Sequence, residues 1–260
     1  MTIKDKDEDA SDDRDFVASL EKGLAVIEAF DASRPKLTLS EVAKLTGITR
    51  AGARRYLRTL AKLNYADFDG RYFSLSPRVL RLGYAYLSST AVSERLQPFL
   101  ERISEQTGES SSAAMLDGDD IVYIARSATR RIMSIGLGVG SRLPAYCTSL
   151  GRAILAFRPP QELDAYIERV QLEPRTPKTV TDKAEFRKVL ETVRNQGFAI
   201  IDEELEFGLR SIAVPLFQKN GTVTIALNIS AQVAHASTAE MEVRLLPALR
   251  EASEALRYAL

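Results

Sequence analysis

Apolar residues recur at helical spacing over Ser19–Ala32, where Leu20, Leu24, Ile27 and Phe30 make one stripe. Ser19 is placed to cap that helix and Pro35 ends it. "TLSEVAKLTG" predicts a second, short helix: Ser40 caps it, Val42 and Leu45 turn inward, and Gly47 stops it. After a turn of only Gly47 and Ile48, Thr49 caps a third helix. Ala53, Leu57, Leu60 and Leu63 form its apolar stripe, with Tyr56 beside them. The period then changes: "YADFDGRYFSL" has apolar residues on both sides of Asp69-Gly70, the dipeptide suited to a type I′ hairpin turn. Three helices and a hairpin in this order predict a winged helix-turn-helix over residues 16–76. "SPRVLRLGYAYLSS", with Ser76 before Pro77, predicts a linker helix over 77–89.

Residues 90–260 mix both periods. A helix is expected near Ser93–Thr107, then strands at Ser110–Met115, Ile121–Arg126 and Ile132–Ile135. Helices follow near Ser149–Phe157, Pro160–Val170 and Asp182–Gln196, and strands return at Phe198–Ile201, Ile212–Phe217 and Val223–Ile229. "KNGT" joins the last two strands as a hairpin, and a long helix from Thr238 closes the chain. Adjacent strands joined by short turns imply an antiparallel sheet with helices on its faces. The fold class is therefore α+β, a winged helix-turn-helix joined by a linker helix to a second, sheet-based domain.

The formal net charge of the 260 residues is zero, yet the charge is segregated. Residues 1–15 hold seven acids (Asp5, Asp7, Glu8, Asp9, Asp12, Asp13, Asp15) against three bases (Lys4, Lys6, Arg14), which reads as a disordered, solubilising tail. From Ser19 to Ser88 there are twelve bases and six acids, which points to an anionic partner for this module. Between Thr46 and Ala66 there is no Asp or Glu. Arg50, Arg54 and Arg58 are four apart on one face of the third helix, with Arg55 flanking them. Like charges at that spacing repel, and a row of duplex DNA phosphates would turn the repulsion into attraction. Residues at the start of a recognition helix reach base edges and later ones meet the backbone. Arg50 and Arg54 are thus the candidate base readers, and Arg55 and Arg58 the phosphate contacts. Ala51 and Gly52 allow close approach; Ser40 and Thr49 complete the contact set. Arg71 at the hairpin tip either reaches the duplex or is simply exposed.

"TLSEVAKLTGITRAGARRYLRTLAKLNYA", "DGRYFSLSPRVLRLGYAYL", "LPAYCTSLGRAILA" and "DEELEFGLRSIAVPL" in this order resemble the IclR family of bacterial transcriptional regulators. "DFVASLEKGLAVIEAF", "LDGDDIVYIAR" and "TRRIMSIGLGVGSRLPAYCTSLGR" are similar to the branch of PcaR, PcaU and PobR, which controls aromatic catabolism, chiefly the β-ketoadipate pathway. The resemblance implies a GAF-like effector-binding domain over 90–260 and a homodimer through the winged domains, often paired further into a homotetramer. It implies operator DNA as one partner, RNA polymerase as another if the protein activates, and an effector such as protocatechuate, 4-hydroxybenzoate or β-ketoadipate. Carried onto this chain, the effector residues are Leu209, Ser211, Asn228, Ser230, Ser149 and Leu150, with Ile135 and Leu143 as an apolar wall.

An anionic ligand suits the local chemistry. Thr148 and Ser149 open a helix, whose free N–H groups attract carboxylate. Arg131, Arg142, Arg152 and Arg210 lie near these segments, where one could fork to the acid or each could pair with Asp202, Glu203 or Glu204. "GLGVG" has Ser141 where a dinucleotide motif needs glycine, so it reads as a loop. Cys147 and His235 are the only residues of their kinds and offer neither a zinc spacing nor a nucleophile elbow. No catalytic residue, metal or cofactor is called for. A lone cysteine and the lack of any membrane-length apolar run favour a cytoplasmic protein. An alternative to the ligand-responsive regulator is an architectural DNA-binding protein whose C-terminal domain only oligomerises. A third class, an enzyme with a DNA-binding head, lacks a catalytic constellation.

Overall fold

The computed structural model describes residues 15–31, 33–90, 92–129 and 137–257. Residues 1–14 of the acidic tail, the strand expected at Ile132–Ile135, and with it Ile135 and Arg131, lie outside them. The chain divides into two compact units, Met1–Tyr86 and Leu87–Leu260.

The first unit holds helices α1 (Ala18–Glu28), α2 (Leu39–Thr46) and α3 (Arg50–Lys62), then strands β1 (Ala66–Phe68) and β2 (Phe73–Leu75). Its core is Val26, Leu37, Val42, Ala53, Leu57 and Phe73. Leu57, fully buried, stabilises the unit by about 1.5–3 kcal/mol. Several local expectations need correction. α1 starts after Val17 rather than Ser19 and ends at Glu28; it turns Val26 inward and leaves Leu20 and Leu24 62% and 45% exposed. α2 is capped by Thr38, not Ser40. Glu41 Oε2 accepts the Thr38 amide at 2.7 Å while Thr38 Oγ1 accepts the Glu41 amide, a reciprocal capping box that outcompetes a lone serine. Leu45 and Leu63 are exposed. Gly47 ends α2 at φ 69°, a left-handed conformation open to glycine at little cost, and Thr49 Oγ1 caps α3 through the Gly52 amide at 3.1 Å. In the hairpin Phe68 pairs with Phe73, so the loop has four residues rather than a two-residue type I′ turn. Asp69 Oδ1 organises it by accepting the Arg71 and Tyr72 amides. Ser76 caps a 3₁₀ turn at Pro77–Val79, which leads into α4 (Leu80–Thr90).

The second unit is built on one antiparallel sheet of order β5-β4-β3-β8-β7-β6. Its strands are β3 (Ser110–Asp117), β4 (Asp120–Ser127), β5 (Arg142–Pro144), β6 (Ala199–Asp202), β7 (Leu209–Phe217) and β8 (Val223–Gln232). β5 is an unforeseen edge strand, and β7 begins three residues before its expected start. The helices are α5 (Val92–Thr107), α6 (Ser149–Leu155), α7 (Pro160–Arg169), α8 (Lys183–Gln196) and α9 (Leu246–Arg257). The closing helix anticipated from Thr238 is interrupted by a π-helical turn at Met241–Leu245. Side chains alternate across each strand. Ile212, Val214, Leu227 and Ile229 pack with α5 and α9 on one face. Ala114, Ala213 and Ala226 face the other way, towards Leu150 and Ile154 of α6 and Phe186 and Leu190 of α8. Alanines on that side let α6 lie close across β3, β8 and β7.

Candidate functional site

On α3, Arg50, Ala51, Arg54, Arg55 and Arg58 are all exposed. Among the described residues, none of the four arginines enters an ion pair, although other arginines of the chain do. A helix side with four unneutralised guanidinium groups and a small residue at its start can lie against a polyanion. Ser40 and Thr49 are exposed near the α2–α3 turn, Thr49 being committed to its cap. Arg71 at the hairpin tip is exposed, its guanidinium 5.1 Å from the centre of the Tyr72 ring.

In the second unit the expected polar residues share one sheet face. Ser211 of β7 pairs directly with Ser230 of β8, and Asn228 sits two positions before Ser230, on the α6 side. Leu209 has the same parity as Ser211. Ser149 and Leu150 at the start of α6 are buried, and Leu143 on β5 packs against the same cluster. Thr148 Oγ1 already accepts the Gly151 amide at 3.2 Å, so the α6 start has one oxygen ligand of its own.

Strand register extends this face to residues that sequence reasoning misses. Ser112 of β3 pairs with Asn228, and Arg126 of β4 pairs with Ser112; the row Arg126–Ser112–Asn228 thus crosses three strands about 4.8 Å apart. Arg126 Nη1 donates to Ser112 Oγ at 3.2 Å, and its guanidinium lies 6.0 Å from the Tyr123 ring centre. Burial pushes the Tyr123 hydroxyl up to about 12, and the Arg126 charge pulls the other way. Four buried side-chain polar atoms among the described residues lack a hydrogen-bond partner. Two of them, Arg126 Nε and Asn228 Oδ1, belong to this row, and a third, Ser149 Oγ, belongs to the first residue of the helix packed on the sheet. Asn228 Nδ2 is satisfied by Ser230 Oγ at 3.2 Å, which leaves the amide oxygen to something else. Buried polar atoms of this kind are as a rule paired with protein, water or a ligand.

Among the described residues, the three other arginines singled out near these segments are committed elsewhere. Arg142 pairs with Asp117 and Asp120, and Arg210 with Asp202. Arg152, 2% exposed, is bidentate to Glu204. In the sequence Arg126 is only the end of a strand; that it shares a sheet face with Tyr123 despite opposite parity becomes visible only once the β-bulge at Ala113/Ala114 is known. Among the described residues no group of His, Cys, Asp and Glu could hold a metal ion, and no helix is long and apolar enough to cross a membrane.

Residues 19–70 match the family profile described as IclR helix-turn-helix domain, and residues 84–258 the profile Bacterial transcriptional regulator IclR C-terminal. The chain is 49% identical to the Pca regulon regulatory protein of Pseudomonas putida, covering 95% of this chain and 86% of that one. It is 38% identical to the p-hydroxybenzoate hydroxylase transcriptional activator of Acinetobacter baylyi, covering 94% and 92%. A solved structure of a double mutant of the PobR inducer-binding domain from Acinetobacter, in complex with 3-hydroxybenzoic acid, superimposes with a TM-score of 0.62 at 31% identity. That match covers 65% of this chain and 99% of the other. An arginine helix without ion pairs in a winged head, an antiparallel sheet covered by helices, and these matches lead to one conclusion: the chain belongs to the IclR family of bacterial transcriptional regulators.

Proposed function

We propose that this protein is a cytoplasmic, ligand-responsive regulator of aromatic-compound catabolism, not an enzyme, which binds operator DNA through α3 and senses a small aromatic or keto acid on the α6 side of its sheet. Arg50 and Arg54 read bases, while Arg55 and Arg58 hold phosphates. The acid's carboxylate takes the orphan Arg126 Nε and the Ser112 side of the row. Its second polar group, a ring hydroxyl or a distal carboxyl, reaches Asn228, Ser211 and Ser230, and Leu143, Leu150 and Leu209 cover its apolar body. The single observation that carries this reading is that Arg126 Nε and Asn228 Oδ1, two buried atoms with no protein hydrogen-bond partner, share one cross-strand row, with Ser149 Oγ a third such atom at the start of the helix packed on that face. The relatives named above support the choice of an aromatic acid. The protein acts as a homodimer or a pair of dimers, supported by the open apolar stripe of Phe16, Val17, Leu20 and Leu24 along α1 and the residues before it.

The test is calorimetry and thermal shift of the full chain with 4-hydroxybenzoate, protocatechuate and β-ketoadipate, with benzene-1,2-diol as the control lacking a carboxylate. A ligand of the native state at one hundred times Kd adds about 2.7 kcal/mol. Arg126→Met should remove about 1.5–3 kcal/mol of affinity, roughly 10- to 150-fold in Kd. Ser211→Leu should abolish the response by filling the face. If none of the three acids acts, or Arg126→Met responds as the native protein does, the reading is wrong.

A further inference from the structure

The Arg152–Glu204 pair is the most buried ion pair among the described residues, with side-chain exposures of 2% and 12%. Every nitrogen of the guanidinium and both carboxylate oxygens have a partner. Arg152 Nη1 and Nη2 each take one Glu204 oxygen, at 2.7 and 2.5 Å, and Nε donates to the Tyr146 carbonyl at 2.8 Å. Glu204 Oε2 also accepts the Val180 amide at 3.2 Å. A buried pair of this kind seldom stabilises a fold more than well-packed apolar residues of the same volume, because desolvation offsets the attraction. What it does supply is direction: a bidentate guanidinium–carboxylate fork fixes both distance and orientation between its carriers.

Its two carriers are the segments that supply the effector face. Arg152 is one turn after Ser149 and Leu150 on α6. Glu204 is the second residue of the β6–β7 connection, residues 203–208, which leads through Leu209 to Ser211. That connection is fastened a second time, since Thr179 Oγ1 donates to the Glu204 carbonyl, Thr176 Oγ1 to the Glu203 carbonyl, and Glu203 Oε2 accepts the Gly208 amide. Glu203 itself adopts φ 60°, which an L residue holds only when its surroundings insist.

We propose that Arg152 and Glu204 are positioning residues for effector recognition: the fork sets the separation between the start of α6 and the β6–β7 connection, so that Ser149 and Ser211 address one ligand. The inference rests on the proposed location of the effector. It predicts that effector affinity depends on the fork while fold and effector-free DNA binding do not.

The experiment compares the full-length native chain with the apolar exchange Arg152→Met/Glu204→Leu, with Arg152→Lys, and with Arg126→Met. Each is measured for melting temperature, for operator binding without effector, and for calorimetric affinity towards 4-hydroxybenzoate, protocatechuate and β-ketoadipate. The apolar exchange should melt within a few degrees of the native chain and bind operator equally, yet bind the acid at least tenfold more weakly. Arg152→Lys keeps the charge and loses the fork; it should weaken acid binding severalfold with operator binding unchanged, and it decides the matter if the apolar exchange does not fold. Native acid affinity in a folded apolar exchange or in Arg152→Lys, with Arg126→Met impaired, overturns the positioning role and leaves the effector site standing. Native affinity in Arg126→Met removes the effector from this face and overturns both.

Discussion

Gly151→Ala tests how closely α6 is held against the turn before it. A methyl group built at Gly151 would lie 2.2 Å from the Ala145 carbonyl oxygen, 2.5 Å from its Cα and 2.6 Å from its carbonyl carbon, all backbone atoms. No side-chain rotation relieves such a clash, so α6 or the 145–147 turn must move. Overpacking of this kind costs about 1–3 kcal/mol. Movement also strains the Arg152 Nε bond to Tyr146 O, a charged hydrogen bond worth about 1.5–3 kcal/mol. Against these stands the gain of replacing a helical glycine with alanine, about 0.5–1 kcal/mol. The clash prevails by roughly 1.5–5.5 kcal/mol, which at about 2–4 °C per kcal/mol lowers the melting temperature by ~3–22 °C. Thermal unfolding of the full chain followed by circular dichroism measures it. Gly83→Ala on α4, where an added methyl meets nothing within 4 Å, is the matched control and should be neutral or slightly stabilising. A Gly151→Ala protein that melts at or above the native temperature would refute the packing argument.

Three further outcomes are expected. Arg54→Ala should cost ~1–3 kcal/mol of operator binding and relax base preference, whereas Arg58→Ala should weaken operator and scrambled duplex alike and reduce the salt slope by about 1; gel-shift titrations at several salt concentrations separate them. Thr38→Ala should destabilise the head by about 1 kcal/mol and Ser40→Ala by almost nothing, seen as shifts in its denaturation midpoint. Burial pushes the Cys147 thiol up to about 11, so it should resist a thiol reagent at pH 8 in the native protein and react at once in denaturant; rapid native labelling would contradict the packing around it.

Much of this architecture is written in local chemistry. The change of period after Leu63, the Gly47 stop and the Thr49 cap are properties of neighbouring residues, so the head is legible from the sequence. So is the charge of α3, because no acid interrupts it. The rest depends on distant partners. Leu20 and Leu24 share helical spacing with a core position, but only the packing of Gly23 near Tyr56 and the burial of Val26 decide that the leucines face outward. The match of Ser211 to Ser230 is a register between strands, and the place of Arg126 on that face depends on a bulge and two strand pairings. Arg152 illustrates the same limit: one arginine among several near the site, its commitment to Glu204 is set by a contact 52 residues away.

The order of the sheet has a consequence for how the protein is made. At its middle β3 lies beside β8, so that Ser110 finds its partner in Ser230, 120 residues later in synthesis. At about 5–20 residues per second a ribosome needs roughly 6–24 s to cover that distance, whereas the winged head is complete within the first 75 residues. The nascent chain thus carries a finished DNA-reading head while the row through Ser112 and Asn228 does not yet exist. A chain that stops before β8 would hold the strands and helices of the winged head and lack the row that spans β4, β3 and β8.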